Sequence, residues 1–273
     1  MTSAPPRVLV LGAHPDDAEF HAGGLAAMMR WAGHVVKFVS VTDGGAGHHE
    51  LQPPELRVTR KLEAAAAGNV IGVEYEVWGN PDGALLPTLE VRAQIIAEIR
   101  RFQPDLVLTH RPCDYHPDHR AVAQAVQDAC YLVTVPLVVP EVPALRRDPV
   151  VAYMVDTFTR PATLRPDVLV DVADQLEVIV SMLACHKSQV YEWLPFNERI
   201  LDSLPEGDEE RRIWLRDWFV GRARLRADLF RSELLNLYGA ERGAEVEVCE
   251  ALEISEYAAP LDEGKRKKLF PFI

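Results

Sequence analysis

The feature that most constrains this chain is a repeated alternation of near-continuous apolar runs with helical segments. "RVLVLG" (7–12), "HVVKFVSVT" (34–42) and "PDLVLTH" (104–110) read as strands buried on both faces. A shorter run, "YEVW" (75–78), reads as a further strand before the turn "GNPDG" (79–83). Helices are expected between them, over 23–33 with Gly33 closing the helix, over 54–72, over 89–102 and over 117–133 with Pro at the start. Such alternation predicts an α/β fold, a Rossmann-like, mostly parallel sheet flanked by helices. After a Pro-rich connector come two strand-like runs, 150–156 and 167–172. A helical stretch over 173–194 follows, then a long charged helix over 206–238, interrupted at Gly221. No linker divides the 273 residues, so one domain is expected, with a core over about 7–190 and a helical C-terminal extension over about 191–273.

Composition narrows the function classes. A hydrophobic content of 48% supports an ordered core, and a formal net charge of -12 opposes nucleic acid or an anionic membrane as partner. The basic cluster "KRKK" (265–268) reads as a solvated tail. The N-terminal stretch lacks the pattern of a signal peptide, and no apolar run reaches the roughly 18 residues of a membrane helix. Four cysteines (113, 130, 185 and 249) are widely spaced without a CxxC pair, which points to free thiols in a cytoplasmic protein.

Two strands end in clusters of ionisable residues. "HPDD" follows the first and crowds His14, Asp16, Asp17 and Glu19 into six positions; "HPDH" follows the strand at 104–110 and carries His116 and His119. Either alone could be a turn capping a helix. Together, each at the carboxyl end of a buried strand, they fall where open parallel sheets bind ligands. One histidine from each segment and one aspartate would give the two-imidazole, one-carboxylate set of a catalytic zinc site. Asp16 and the remaining histidine would then flank the open position, as a base for water and a donor to a developing oxyanion. A cation there would also relieve the carboxylate crowding.

"AHPDDAE" with "DYHPDH" resembles the PIG-L/LmbE-like family of metal-dependent N-deacetylases, which act on N-acetylglucosamine conjugates and related amides. "TDGGAG" (42–47), "RKLEAAAAGNVIGV" (60–73), "GNPDG" and "HKSQ" (186–189) resemble further family segments; the likeness is specific over 7–135 and weaker to about 190. The resemblance implies His14, Asp17 and His119 as metal ligands and Asp16 as general base. It implies His116 as the group that polarises the carbonyl or protonates the leaving amine, with Asp118 orienting it. Arg60 and Asp82 fall where relatives contact the sugar, although helix pairing and turn chemistry explain them equally well. The implied cofactor is Zn2+, with another divalent ion such as Fe2+ as the variant. The implied partner is a small N-acetylated sugar or glycoconjugate, and relatives suggest a homo-oligomer.

Competing readings are a non-haem Fe(II) oxygenase with the same ligand set, a nucleotide-binding domain and a non-catalytic sugar-binding relative. The alternation of strand and helix argues against the first, whose sites usually sit on a β-barrel. The absence of G-x-G-x-x-G spacing argues against the second. A carboxylate beside a metal, which binding alone does not need, argues against the third. Which molecule carries the acyl group is open among a free sugar, a thiol-precursor glycoside, a chitin fragment and an antibiotic intermediate. His48, His49 and the aromatics of "YEWLPF" (191–196) read as loop and packing residues.

Overall fold

Strands β1 (Arg7–Gly12), β2 (Val35–Thr42), β3 (Glu74–Asn80), β4 (Leu106–Thr109), β5 (Val150–Met154), β6 (Val168–Asp171) and β7 (Cys249–Ile254) form one sheet in a computed structural model that describes residues 4–273. Their order is β3-β2-β1-β4-β5-β7-β6. The first five are parallel, and β7 runs antiparallel to both neighbours. The expected mostly parallel sheet is therefore present, with a mixed edge.

Among the described residues ten α-helices cover or extend it: α1 (Asp17–Trp31), α2 (Pro53–Ile71), α3 (Leu89–Phe102), α4 (Pro117–Ala129), α5 (Leu176–Leu183), α6 (Leu194–Asn197), α7 (Asp208–Leu229), α8 (Arg231–Tyr238), α9 (Ala240–Glu245) and α10 (Glu263–Leu269). The period-two side-chain alternation of β1 divides the core. Val8 and Val10 face α1, α2, α5 and α7, while Leu9 and Leu11 face α3 and α4. Both faces of the strand are dry, so its run has no polar position after Arg7.

Three differences from the sequence reading have physical causes. The first helix begins at Asp17 rather than 23, because it is two helical pieces joined at Ala22, whose φ of -147° is not helical. The second piece is capped from outside: Glu250 on β7 accepts the N–H groups of Gly24 at 2.8 Å and Leu25 at 2.7 Å. That duty also explains why β7 escapes a propensity reading, since an inward glutamate in a central strand looks like a surface residue. The C-terminal segment is mostly helical as expected, yet it also supplies this strand. Finally, the long charged helix breaks at Phe230, not at Gly221, and 173–194 resolves into α5, a π-helical turn over Gln189–Trp193, and α6.

The Pro-rich connector after α4 folds around one side chain. The Arg100 guanidinium, 2% exposed, donates to the carbonyls of Leu132, Val133, Val135, Val138, Val139 and Val142 at 2.6–3.0 Å. No helix among the described residues is long and apolar enough to cross a membrane.

Candidate active site

The chain runs β1, β2, β3 outward and then crosses back to β4, which pairs with β1 in register Leu11↔Thr109. The loops after β1 and β4 thus lie side by side where the order of strands reverses, the crevice in which such sheets bind ligands. Gly12 makes the first loop possible, because a Cβ there would lie 2.8 Å from the Cβ of Asp17, which folds back over the strand end. Asp17 Oδ2 accepts the His14 N–H at 2.7 Å. Asp16 sits at φ 153°, ψ -16°, a conformation that an L-residue holds only when its surroundings impose it. Arg60 imposes it: the guanidinium donates to the Pro15 carbonyl and lies 3.3 Å from Asp16 Oδ2.

His14, Asp17 and His119 converge on one point. His119 Nε2 is 3.2 Å from His14 Nδ1 and 3.4 Å from Asp17 Oδ1, and His14 Nδ1 is 3.6 Å from Asp17 Oδ2. The outer nitrogens decide what this means. His14 Nε2 lies 3.2 Å from Asp82 Oδ1 and 3.3 Å from Asp118 Oδ2, so it carries a hydrogen. His119 Nδ1 lies 3.1 Å from Asp114 Oδ1, outside hydrogen-bond geometry but close enough for the carboxylate's charge to favour a hydrogen there as well. In the neutral rings, two nitrogen lone pairs then face each other beside a carboxylate, a repulsive arrangement unless a cation stands between them. The separations are close to the roughly 3.3 Å between donors that share a metal at about 2.0–2.1 Å, with Asp17 offering Oδ1 toward His119 and Oδ2 toward His14. This donor set could hold a divalent metal.

Burial and charge set the protonation preferences. Burial disfavours a charged His14, but hydrogen bonds to Asp118 and Asp82 and the charge of Asp17 outweigh it and push the ring up to about 10. His119 is likewise pushed up to about 9, with Asp17 and Asp114 overcoming burial. The attraction that raises both rings is the attraction a cation would feel. Asp17 is held well below the usual carboxylate range, because His119 and His110 outweigh the opposing burial. Asp16 goes the other way: burial raises it, Arg60 opposes, and the neighbouring Asp17 adds to the rise. Burial, with His14 and His119 nearby, lowers His116 and keeps it neutral.

Sequence reasoning needs correction at Asp118. Its carboxylate does not orient His116; it bonds His14, the Gly83 N–H at 2.7 Å and the Leu85 N–H at 3.1 Å. The only hydrogen bond between Asp118 and His116 runs from the Asp118 backbone N–H to His116 Nδ1 at 3.2 Å. Arg60 and Asp82, expected at the sugar, line the cavity but make their bonds inward: Arg60 to Asp16 and Pro15, Asp82 to His14 and to the Ala46 N–H at 2.9 Å.

Other members were missed. His110 Nε2 lies 3.0 Å from Asp17 Oδ2, and its ring stacks on His119 at 3.9 Å between centroids. Its position directly behind a buried strand was the available signal. Asp114, two residues before His116, is the outer partner of His119. Behind the first loop, His186 Nε2 meets Glu19 Oε1 at 2.9 Å, and Glu63 takes the Ser188 N–H and hydroxyl. The "HKSQ" and "RKLE" segments therefore brace the site from below.

Above the constellation opens a cavity of about 720 Å³, with His14, Asp16, His116 and His119 among its floor residues. Its walls come from farther along the chain, with Tyr115 and Phe158 on one side and Trp193, Trp218 and Arg226 on others.

Residues 9–130, which contain both loops, match the family model described as PIG-L: GlcNAc-PI de-N-acetylase. The chain carries a PIG-L-family domain. Among curated proteins it is 28% identical over 205 residues to diacetylchitobiose deacetylase of Thermococcus kodakarensis, covering 70% of this chain and 74% of that protein. It is also 24% identical over 193 residues to 4-oxalmesaconate hydratase of Pseudomonas putida, covering 68% and 74% respectively. Among solved structures, N,N'-diacetylchitobiose deacetylase from Pyrococcus horikoshii superposes with a TM-score of 0.70 at 21% identity, over 92% of this chain and 84% of that one. The PIG-L-family match and the mixed sheet set aside the oxygenase reading. The cavity walls beyond residue 130 lie outside the matched PIG-L segment.

Proposed function

We propose that the chain is a zinc-dependent N-deacylase that removes a small acyl group, acetyl in the simplest case, from an amino sugar or its conjugate. The observation that supports it most is the meeting of His14 Nδ1, His119 Nε2 and the Asp17 carboxylate within 3.2–3.6 Å of one another, with Asp16 beside them under a roomy cavity. His14, Asp17 and His119 are the metal ligands in this reading. Zinc suits two imidazoles and one carboxylate, and ferrous iron accepts the same set. When bound, the ion supplies Lewis acidity and makes a coordinated water acidic near neutral pH.

The chain's own groups do the rest. Asp16, whose carboxyl burial raises and Arg60 opposes, takes the proton of the attacking water. His116 Nδ1 accepts the Asp118 N–H, which leaves the hydrogen on Nε2 to donate to the amide oxygen as it gains charge. The new C–O bond forms, the C–N bond breaks, and the proton held by Asp16 passes to the departing nitrogen. Acetate and a free amine result. Asp82 and Asp118 hold His14 in the tautomer that ligation needs, and the charge of Asp114 beside His119 Nδ1 favours the same for that ring.

The hydratase relative supports a second reading, because a base and a cation can also deliver water to a polarised double bond. Deacylation is favoured by the stronger likeness to a deacetylase and by the family match. The test is acetate release from a panel of N-acetylated sugars, run beside loss of the ultraviolet chromophore of an unsaturated carboxylate. Acetate release that chelation abolishes and zinc restores is the expected result. Asp16→Asn should keep the metal and lose about 10²–10⁴-fold in kcat, the contribution of a positioned base. Full turnover in Asp16→Asn, or hydration without deacylation, would overturn the assignment.

A further inference from the structure

Besides Arg222, four arginines have their guanidinium groups in the interior or on the cavity wall; Arg100 and Arg111 are fully provided with acceptors, and Arg60 has a carboxylate partner although its buried Nε has none. Arg60 meets Asp16 and the Pro15 carbonyl. Arg100 meets six carbonyls. Arg111 pairs through two nitrogens with Asp156, at 2.8 and 2.7 Å, and adds the carbonyls of Phe158 and Ala162. The fourth, Arg226 on α7, is different. It lines the cavity, it is only partly exposed, and no carboxylate among the described residues reaches salt-bridge distance of it; Glu250 and Asp156 act on it only from farther away. Its one acceptor among the described residues is the Phe20 carbonyl, 2.6 Å from Nη1, left free by the break in α1 at Ala22.

The second terminal nitrogen is worse than unpartnered. Arg226 Nη2 lies 3.4 Å from His21 Nδ1. That ring nitrogen is itself 2.8 Å from the Val155 carbonyl, to which it must donate. Two donors therefore face each other, and Nη2 has no acceptor among the described residues. A cation desolvated in this way is unfavourable unless something anionic completes it. The neighbouring Arg222 does not share the need, because it stacks 3.6 Å over the Trp218 ring and pairs with Glu198. Trp218 is closed on its other side by Trp214, 5.8 Å away and nearly parallel, so it offers no open face to a sugar. The position is also specific: the His21 ring stands edge-on to His110 and His119 at 5.7 and 6.4 Å between centroids. Arg226 is therefore one side chain removed from the reacting centre.

We infer that Arg226 is a specificity-determining residue that binds a carboxylate of the substrate close to the scissile amide, so that the preferred substrates are anionic N-acylated amino sugars. The inference rests on the deacylase reading for the word "scissile", but the anion site stands on Arg226 alone. The carboxylate has two possible sources, the acyl chain itself or a hydroxy-acid aglycone.

The experiment compares three substrates on the full, zinc-loaded chain: N-acetylglucosamine, N-succinylglucosamine and the N-acetylglucosaminide of glycolic acid. The readout is the ratio of kcat/KM for each acid over the neutral sugar, which does not depend on the active fraction of a preparation. One acid should be preferred by about 10- to 100-fold, the size of a charge-assisted hydrogen bond, and which one identifies the source. Arg226→Gln should bring that ratio to within about 3-fold of unity, and Arg226→Lys, which can still reach the Phe20 carbonyl, should restore part of it. Titration of succinate into the same proteins gives a readout that needs no turnover: Arg226→Gln should weaken binding at least 10-fold. If no amide is cleaved but the titration shows this loss, the deacylase reading fails and the anion site survives. No preference in the parent chain, or a preference and succinate affinity unchanged in Arg226→Gln, would refute the inference.

Discussion

Replacing Asp118 by alanine separates two roles for one carboxylate. If it oriented His116, as the motif suggests, the variant would bind metal normally and turn over slowly. The structure requires the reverse, because the carboxylate sits 3.3 Å from His14 Nε2 and takes the Gly83 and Leu85 N–H groups. Loss of an outer partner of a ligating histidine typically weakens metal binding about 10- to 100-fold. Asp82 remains 3.2 Å from the same nitrogen, which places the single variant near 10-fold and the Asp82→Ala/Asp118→Ala double variant beyond the product of the two. The buried Leu85 N–H adds a separate effect, about 1–3 kcal/mol when left without an acceptor, whereas Gly83 is exposed and water can replace its bond. Zinc titration against a competing chelator measures the first, and urea denaturation of the metal-free protein measures the second. Zinc affinity within 2-fold of the parent, together with a lower kcat, would show that the tautomer argument for His14 is wrong.

Arg100→Leu should destabilise the protein by about 3–5 kcal/mol, since six carbonyls lose their donor, and Arg100→Lys should recover less than half because an ammonium has only three hydrogens. Urea midpoints with unchanged slopes check both. Glu250 gives a pH dependence. Burial pushes its carboxyl up to about 7 against an ordinary value of 4.5, with the Gly24 and Leu25 N–H groups and Arg226 opposing. The folded state thus binds the proton more tightly than the unfolded chain, and stability falls as pH rises between those values. A shift of that size is worth about 3 kcal/mol, so the stability difference between the parent and Glu250→Gln should change by that order from pH 4.5 to 7 and be flat above about pH 8. A difference that does not move with pH would rule out the buried titration.

The fold was largely legible because four of the first five strands, β3 excepted, obey one local rule. β1, β2 and β4 are dry on both faces, so their apolar runs announce them, and the α3 helix carries its own cap in Thr88, whose hydroxyl takes the Val91 N–H. β7 fails the same rule for a long-range reason, because Glu250 faces inward to cap a helix more than two hundred positions earlier. The site divides in the same way. Residues inside the two short motifs could be found from spacing, but spacing does not say which carboxylate meets which imidazole. Asp118 meets His14 because a helix start points it across the crevice toward the β1 loop, a relation set by the sheet order and invisible locally. His110 and Asp114 sit in plain view beside the second motif, and only the stacking of His110 on His119 and the approach of Asp114 to His119 Nδ1 give them roles.

This division has a consequence for how chemistry and selectivity are distributed along the chain. Every group assigned to water activation lies between His14 and His119, inside the segment that matches the PIG-L family. Trp193, Trp218 and Arg226, which shape the cavity above, lie outside it on the π-helical turn and α7. Those walls are held in place by ties that return to α1: Arg226 to the Phe20 carbonyl, His186 to Glu19, and Glu250 to the second half of the helix. α1 therefore couples the two parts, with Asp17 at its start, the break at Ala22 in its middle and the C-terminal strand at its capped second half. Substitutions in α7 that spare this coupling should exchange one substrate for another while leaving metal affinity intact. Substitutions that disturb the break should damage both together, because the same backbone carries a metal ligand and the seat of the cavity wall.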